Sequence, residues 1–405
     1  MIFNQQRNTI KEQFIILLRD FIDFNLLNRE EQVEQSALLL EKVFESTNIY
    51  LSEEEKKDLL SELLEDVVFG LRRIQKYQDD PEVEEIMING YRNVFIKKRL
   101  DDEYIKTSIK FDNNDEINKI IEKLLEGTGR RVDRSNPLVD LRLTDGSRAN
   151  IVVSPLSLIG PCITIRKFPE KTITPKDLIK GGVMSDKMSQ FLQKAVENKV
   201  NILIAGGTAA GKTTTLAALT NYIHQNKQKK KDRVVVIEQT AEIKLPKELD
   251  NSIQLECRLN NNQGVGSYTI RDLLKNALRM RPDRIIVGEV RGGEAFDMLQ
   301  AMNSGHPGSF STIHANNAAD ALSRLEALVL LAGFDQLVLE TIKKWIGNSL
   351  DIVLFMKKCE DGKRRLVEIS GVSPNLDVQP IFIYKNGKFS VNDKNLEKYK
   401  EINRN

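Results

Sequence analysis

Apolar residues near the start of the chain recur at intervals of three and four positions, the spacing of one helix face. The three stripes between residues 8 and 77 comprise Phe14, Leu17, Leu18, Phe21 and Ile22, then Leu38, Leu39, Val43 and Phe44, then Leu59, Leu60, Leu63, Leu64, Val67 and Val68. Ser52, with Glu55 three residues later, predicts a capping box that begins the third helix. Residues 1–78 are therefore predicted to be an N-terminal helical region, either a small bundle without chemistry or a docking surface for a partner.

Beyond Asp80 and Pro81 the pattern changes to short apolar runs of strand length that are bounded by turn residues. The predicted elements are a hairpin at 86–97, a helix at 114–125, and strands at 140–143, 147–153 and 162–166. Residues 79–167 are accordingly predicted to form an α+β N-terminal domain. Residues 168–177, which include two prolines, are predicted to be the linker that follows it.

In residues 178–405, continuous runs of branched apolar residues alternate with helical segments. This alternation predicts an α/β domain with a largely parallel sheet and helices on both faces. Further strands are expected between residues 351 and 384, and the polar tail after Ser390 is expected to fray. The lysine-rich run at 227–231 is predicted to be a solvated loop rather than a phosphate-binding patch.

The most specific motif is a glycine-rich loop between a predicted strand at 200–205 and a predicted helix at 214–223. Its residues fit the P-loop pattern G-x-x-x-x-G-K-[ST] and are Gly206, Gly207, Thr208, Ala209, Ala210, Gly211, Lys212 and Thr213. Backbone N–H groups in such a loop, together with the helix N-terminus, hold phosphates. We expect Lys212 to reach the β- and γ-phosphates of ATP, Thr213 to hold Mg²⁺, and Thr214 to complete the nucleotide site.

Acidic residues at the ends of neighbouring strands can supply the oriented water and the metal ligands that hydrolysis requires. Glu289 ends one strand in a Walker-B-like position, although Gly288 stands where many P-loop proteins carry Asp. Glu238 ends another strand, and Glu242 follows four residues later. We expect Glu289 to be catalytic with Glu238 or Glu242 assisting, and we expect Glu238 and Glu289 to join Thr213 as metal ligands.

Two of the three histidines, His306 and His314, lie within one short segment. A zinc pair is one interpretation, but no neighbouring Cys or His completes a tetrahedral set. A pair that senses phosphate or couples its binding to movement is favoured over that interpretation. Isolated, solvated histidines are the remaining alternative.

Composition restricts the function classes further. The 60 basic and 58 acidic residues give a net charge of +2, which does not support a dedicated nucleic-acid binder. Cys162, Cys257 and Cys359 are far apart in sequence, so neither a disulfide framework nor a cysteine zinc site is expected. The start of the chain has no signal-peptide pattern, and the apolar stretch at 327–334 is too short to span a bilayer. We expect a cytoplasmic protein.

Several motifs together resemble the type II/type IV secretion ATPase superfamily. Residues 278–292 resemble its Walker B region, and residues 301–326 resemble its His box and the helix after it. Residues 238–242 resemble its acidic box, with Gln239 where members usually carry Asp. Three upstream stretches, at 129–133, 145–150 and 160–168, resemble the N-terminal domain of the CpaF-type (tight-adherence, Tad) branch. The similarity extends from about residue 79 to residue 372.

This resemblance implies a RecA-like P-loop domain in a homohexameric ring, with ATP held between that domain and the N-terminal domain. It also implies that arginines of the N-terminal domain, here Arg131, Arg148 and Arg166, are offered to the phosphates, and Asp133 and Asp145 are expected to orient them. The implied activity is ATP hydrolysis that powers pilus assembly or protein secretion. The protein would work at the inner face of the cell membrane through an inner-membrane platform protein.

Two other function classes remain open. A DNA-translocating ATPase of the conjugation type shares the fold, but the near-balanced charge and low aromatic content favour no stable nucleic-acid binding. A nucleotide switch that binds without turnover is the second alternative. The N-K-x-D motif of GTPases and the L-S-G-G-Q motif of ABC proteins are both absent from the sequence.

Overall fold

The computed structural model of the chain describes residues 2–21, 24, 27, 29–47, 49–64, 68, 71–99, 103–143, 145–168, 172–223, 232–258, 266–333 and 338–400. The chain divides into two compact units, Met1–Glu170 and Lys171–Asn405. The division lies inside the predicted linker at 168–177. The lysine-rich run at 227–231 and part of that linker lie outside the described residues.

The first unit begins with helices that pack around their own apolar stripes. They are α1 Ile2–Asp20, α2 Arg29–Thr47, α3 Glu53–Leu63 and the short α4 Gln75–Asp79. Phe14 of α1, Val43 of α2 and Leu59 of α3 are fully buried in one cluster, as the helical spacing predicts. The predicted capping box is present, because Ser52 accepts from the backbone of Glu55 and the Glu55 side chain accepts from the backbone of Ser52.

The rest of the first unit is an antiparallel sheet covered by one helix. Its elements are β1 Val83–Asn89, β2 Val94–Lys98, β3 Tyr104–Lys106, α5 Asn114–Leu125, β4 Leu138–Arg142, β5 Arg148–Val152 and β6 Cys162–Arg166. The strand order is β3-β2-β1-β6-β5-β4. Alternate residues of the strands, such as Ile86 and Ile88, pack with Ile117 and Ile120 of α5, while the other sheet face carries polar side chains. The predicted hairpin and the predicted helix at 114–125 are both confirmed.

The second unit is a nine-stranded sheet with helices on both faces. Its helices are α6 Pro175–Lys180, α7 Asp186–Glu197, α8 Lys212–Thr220, α9 Ile270–Ala277, α10 Glu294–Asn303, α11 Ala318–Leu330, α12 Leu339–Ser349 and α13 Asp393–Lys400. Its strands are β7 Ile202–Gly206, β8 Val234–Glu238, β9 Ser252–Glu256, β10 Arg284–Val287, β11 Phe310–His314, β12 Ile352–Lys358, β13 Arg364–Val372, β14 Val378–Lys385 and β15 Lys388–Val391.

The sheet of the second unit is parallel where the predicted site lies. The strand order is β15-β14-β13-β12-β7-β11-β10-β8-β9, and the strands from β12 to β9 run parallel to one another. Ile202 and Ile204 of β7 pack into one core while Leu203 and Ala205 pack into the other. Burial on both faces explains why these strands are continuous apolar runs instead of alternating ones. The fold is the predicted one, a RecA-like P-loop domain together with an α+β N-terminal domain.

The structure corrects two expectations about segment ends. Pro175 belongs to α6, because Thr174 and Asp177 form a capping box around it, so the linker ends earlier than predicted. The chain after Ser390 was expected to fray, but it forms a helix as far as residue 400. Its helix α13 places Tyr399 in the core of the second unit, where the ring is 7% exposed. Polar composition alone concealed this anchor.

Within the described residues, the apolar content and length needed to cross a bilayer are not combined in any helix.

Candidate functional site

The glycine-rich loop joins the end of β7 to the start of α8 in the second unit. Gly211 has a φ of 93° and caps α8, and Ala209 has a φ of 55°, so the loop turns sharply through left-handed positions. This turn exposes Gly207, Thr208 and Ala209 above the carboxyl edge of the sheet. Lys212, Thr213 and Thr214 then form the first turn of α8. The arrangement is a strand–loop–helix phosphate cradle.

Lys212 points back into the loop that carries it. Its Nζ atom donates to the carbonyl oxygens of Gly206 at 3.2 Å and Gly207 at 3.0 Å, and it lies 3.5 Å from Nδ1 of His314. Burial lowers the pKa of the lysine, while the nearby carboxylate of Glu289 opposes that shift. A phosphate in the cradle would give the buried ammonium a full negative charge in place of neutral carbonyl oxygens.

Glu289 follows β10, with Gly288 between them. The residues before and after Glu289 both form hydrogen bonds with β11. Thr312 of β11 donates its hydroxyl to the carbonyl of Gly288 at 2.8 Å, and its own carbonyl accepts from the N–H of Val290 at 2.9 Å. The carboxylate meets Nη2 of Arg291 at 2.6 Å through Oε2 and Nε2 of His314 at 2.9 Å through Oε1. The catalytic candidate is therefore held beside β11, the strand next to the P-loop strand β7.

One carboxylate oxygen of Glu289 is still short of a good partner. Oε1 is buried, and among the described residues it makes no hydrogen bond of acceptable angle, although His314 is within contact distance. Buried carboxylate oxygens need such partners. A water molecule or a divalent cation coordinated nearby would satisfy this atom. The oxygen donors of Glu289 and Thr213 are of the kind that Mg²⁺ prefers, so these residues fit the expected ion.

His314 ends β11, the strand next to β7, and its backbone pairs in register with Gly206. Its ring lies between Lys212 and Glu289, with Nδ1 toward the lysine and Nε2 toward the carboxylate. Burial first, and then the charge of Lys212, lower the pKa of this histidine, against the opposing effect of Glu289. A neutral ring would accept from Lys212 at Nδ1, while Nε2 lies within contact distance of Glu289 Oε1, so the ring stands between the cradle and the catalytic candidate.

Glu238 is buried at the end of β8, and its carboxylate binds the loop that follows. Oε1 accepts from the backbone N–H of Glu242 at 2.9 Å and of Ile243 at 3.1 Å. A Cβ atom at Gly288 would lie 3.0 Å from Cγ of Glu238, so the glycine leaves room for this side chain. These contacts fix the backbone of the loop that begins the acidic box. Glu242 lies near the guanidinium of Arg291, whose pKa is raised by Glu289 first and by Glu242 more weakly.

The two histidines of the His box lie at opposite ends of strand β11. His306 precedes β11, and its Nδ1 lies 2.9 Å from the carbonyl oxygen of Pro282, which precedes β10. A five-residue strand spans roughly 15 Å, which separates His306 from His314. Of the two, His314 lies at the cradle and His306 does not, so within one chain they do not form one contact site. Among the described residues, no group of three or more His, Cys, Asp or Glu side chains could hold a metal ion.

The three predicted arginines lie in the first unit and are all exposed. Arg131 is 2.5 Å from Asp133, so the expected orienting carboxylate is present there. Arg148 of β5 and Arg166 of β6 are direct partners in the strand register. Asp145 does not orient an arginine as expected; its carboxylate accepts from Ser147 and Gln78.

Sequence reasoning missed Arg142, which lies in a row with two of the predicted arginines. Arg142 of β4 pairs in register with Arg148, so Arg142, Arg148 and Arg166 lie side by side on neighbouring strands. Like charges directly opposite one another destabilise a sheet, and the carboxylate of Glu85, 3.8 Å from Arg166, offsets part of this repulsion. The predicted turn at 145–146 places Arg142 and Arg148 on either side of it, but the register that pairs them is visible only in the structure. Arg291, two residues after Glu289, was missed as well.

Comparison with known proteins agrees with this geometry. Residues 70–386 match the family described as type II/IV secretion system protein. The conjugal transfer protein TrbB of Rhizobium radiobacter is 33% identical over 299 residues, covering 73% of this chain and 87% of that protein. The type IV secretion system protein VirB11 of Bartonella henselae is 29% identical over 339 residues, covering 75% and 92%.

Two solved structures share the fold. The pilus retraction motor PilT with bound ADP has a TM-score of 0.57 at 23% identity and covers 74% of this chain and 80% of that one. The ATPase DotB of Legionella pneumophila has a TM-score of 0.52 at 18% identity and covers 74% and 79%. The cradle, the strand-end carboxylates and the match over most of the sequence lead to one conclusion. The chain belongs to the type II/IV secretion ATPase superfamily.

Proposed function

We propose that this protein is a cytoplasmic motor that hydrolyses ATP to ADP and phosphate to power pilus assembly or protein secretion. The observation that carries the proposal is the series of contacts from Lys212 through His314 to Glu289 at the mouth of the phosphate cradle. It puts a cation for the phosphates, a neutral linking ring and a base within one small site. A protein that only binds nucleotide does not require the base.

In this proposal, each residue of the cradle has a distinct task. The loop N–H groups and the N-terminus of α8 bind the phosphates, and Lys212 exchanges its contacts with loop carbonyls for the β- and γ-phosphate oxygens. Thr213, Glu238 and Glu289 would hold Mg²⁺, which neutralises charge on the phosphate oxygens when it is bound. Glu289 Oε1 orients the attacking water and accepts its proton. Glu238 keeps the acidic box in shape, and Glu242 assists from that loop.

The finer parts of the proposal come from the resemblance and from the exposed arginines. Arg131, Arg148 and Arg166 would meet the phosphates when the N-terminal domain closes on nucleotide, which would stabilise the charge that develops in the transition state. The protein would form a homohexamer and act at the inner face of the membrane with a platform protein. Within the superfamily, the CpaF-type branch is the proposed affiliation, because three motifs of the N-terminal domain resemble it.

A DNA-translocating motor is the second candidate. The names of the conjugal transfer relatives favour it, and the near-balanced charge of this chain does not. The two candidates differ in what should accelerate turnover. A DNA motor is expected to hydrolyse ATP faster with single-stranded DNA, whereas a pilus or secretion motor is not.

The decisive test of the proposed function is Glu289→Gln, which keeps the shape of the side chain and removes the base. We expect this variant to bind ATP with an affinity close to that of the wild type. Its phosphate release should fall by roughly 10²–10⁴-fold, the usual contribution of a general base. The measurement pairs nucleotide binding by calorimetry with phosphate release at saturating ATP. Phosphate release at the wild-type rate would contradict the proposed mechanism.

A further inference from the structure

Arg291 bridges the catalytic candidate and the acidic box. Its Nη2 donates to Oε2 of Glu289 at 2.6 Å, and its Nη1 donates to Oε1 of Gln239 at 3.2 Å. These two partners follow different strands, since Glu289 comes after β10 and Gln239 comes after β8. The guanidinium is planar and rigid, and its N–H donors point in fixed directions. The contact with Glu289 therefore restricts where the contact with Gln239 can form, and the reverse.

The backbone that carries Arg291 is fixed independently of its side chain. The N–H of Arg291 donates to Oε1 of Glu294 at 2.7 Å, and the N–H of Gly292 donates to the same oxygen at 2.9 Å. Glu294 is the first residue of α10, so its carboxylate also lies at the favourable end of the helix dipole. The backbone of Arg291 is therefore held in a fixed position from which its side chain can reach Glu289.

The bridge determines which oxygen of Glu289 faces the cradle. The last torsion of a glutamate side chain is broad, so a free carboxylate samples many orientations. Arg291 occupies Oε2 and leaves the buried Oε1 beside His314. Gln239 strengthens this arrangement, because a neutral amide oxygen accepts from the guanidinium without competing with Glu289 as a second negative charge.

The bridge contributes little to folding. The side chain of Arg291 is 60% exposed, and ion pairs this exposed to solvent stabilise a protein only slightly. Its removal should therefore leave the sheet and the P-loop folded. The contact with Oε2 of Glu289 is instead suited to orienting that carboxylate.

We propose that Arg291 is a positioning residue that orients the Glu289 carboxylate and, through Gln239, ties that orientation to the acidic box. The inference rests on the proposed function, because it assumes that Glu289 is the base. It assigns a task to Gln239, which stands where relatives are expected to carry Asp.

The first test compares Arg291→Ala with Arg291→Lys. Displacement of a reacting group by about 1 Å can reduce a rate about 10²-fold, so we expect Arg291→Ala to lower kcat by roughly 10–100-fold with little change in ATP affinity. Arg291→Lys should recover part of this loss, since an ammonium can hold Glu289 but cannot bridge to Gln239. Arg324→Ala is the matched control, because Arg324 also lies near His314 but pairs with Asp320. It should retain the wild-type kcat.

The second test is a double-mutant cycle with Gln239→Ala. Gln239 acts only through Arg291 in this proposal, so Gln239→Ala alone should reduce kcat by a smaller factor than Arg291→Ala. Adding it to Arg291→Ala should change nothing further. Independent, multiplicative losses would show that the two side chains do not act as one unit and would overturn the bridge.

The outcomes separate this inference from the proposed function. If Glu289→Gln stalls but Arg291→Ala keeps full kcat, the base is correct and the positioning role is wrong. If Arg291→Ala lowers kcat and ATP affinity equally, or if Arg291→Lys recovers nothing, the residue does not position Glu289. If Glu289→Gln itself turns over normally, the proposed base fails first.

Discussion

At the scale of single residues, the site is a series of polar side chains in contact with one another. Lys212 rests on carbonyl oxygens of its own loop, and His314 separates it from the carboxylate of Glu289. A buried ammonium is stable there only because these partners replace water. The nucleotide phosphates would therefore meet a cation that is already desolvated, and binding requires Lys212 to exchange its carbonyl contacts for phosphate oxygens.

Lys212→Ala should abolish turnover, because the γ-phosphate loses its nearest cation. We expect phosphate release to fall by at least roughly 10²-fold, the scale found when one preorganised charge-stabilising donor is removed. Lys187→Ala, at an exposed position of α7, is the control and should behave as the wild type. Phosphate release measured at saturating ATP decides the matter, and wild-type turnover in the Lys212 variant would refute the assignment.

The arginine row gives a second prediction at this scale. Arg148→Ala should reduce kcat far more than ATP affinity, because its charge is needed where the transition state develops charge. Arg142→Ala should show the same separation to a smaller degree, since it acts from the neighbouring strand. Arg92→Ala, an exposed arginine of the same unit that lies over the ring of Tyr91, is the control. Equal losses of kcat and affinity in the Arg148 variant would indicate a folding role instead.

Residue types and spacing located much of this site before any coordinates. The P-loop pattern identified Lys212, and the strand-end rule identified Glu289, because both depend on local sequence. The separation of His306 from His314 was not predictable by the same means. Two residues eight positions apart can lie together in a loop or at opposite ends of a strand, and only the β11 assignment decides between these arrangements.

At the scale of secondary-structure elements, prediction succeeded where the periodic signal was strong. Helix α5 occupies the predicted residues because its apolar stripe and the Asn113 cap agree. Strand β3 and helix α13 were missed, the first because it is only three residues long and the second because its residues are mostly polar. In α13, one aromatic side chain supplies the anchor that composition does not reveal.

Tyr399→Ala should destabilise the second unit by about 2–3 kcal/mol, because it removes a buried ring from the core. The single tryptophan of the chain, Trp345, lies in that unit and packs against Phe296, so its fluorescence during urea unfolding reports this unit alone. Tyr50→Ala is the control, since Tyr50 is 91% exposed in the first unit. An unchanged urea midpoint for the Tyr399 variant would mean that α13 is dispensable.

At the scale of the whole molecule, the proposed motor requires assembly. Light scattering with a non-hydrolysable ATP analogue should give six times the chain mass of 46.1 kDa. Turnover per chain should rise with protein concentration, because a larger share of the chains is then assembled. In this proposal the arginines act on nucleotide only in the assembled ring. A monomer with full, concentration-independent activity would contradict the ring.

The same preparation distinguishes the two candidate functions. Single-stranded DNA should leave the phosphate-release rate of the wild type unchanged at physiological salt, as expected for a near-balanced net charge. Stimulation that saturates with DNA concentration and disappears in Glu289→Gln would instead favour the conjugation-type motor. The salt concentration must be fixed, because nonspecific binding of DNA weakens steeply as salt rises.

The sheet beneath the cradle limits how such a protein can move. Strands β7, β8, β10 and β11 are buried on both faces, and slipping any of them by one residue would turn its core side chains to the wrong layer. The floor of the site therefore keeps one shape throughout a cycle of hydrolysis. In the proposed motor, we expect movement to arise in the loops above the strand ends and not in these strands. Amide protons in these four strands should accordingly stay strongly protected from exchange with ATP, with ADP and with an empty cradle.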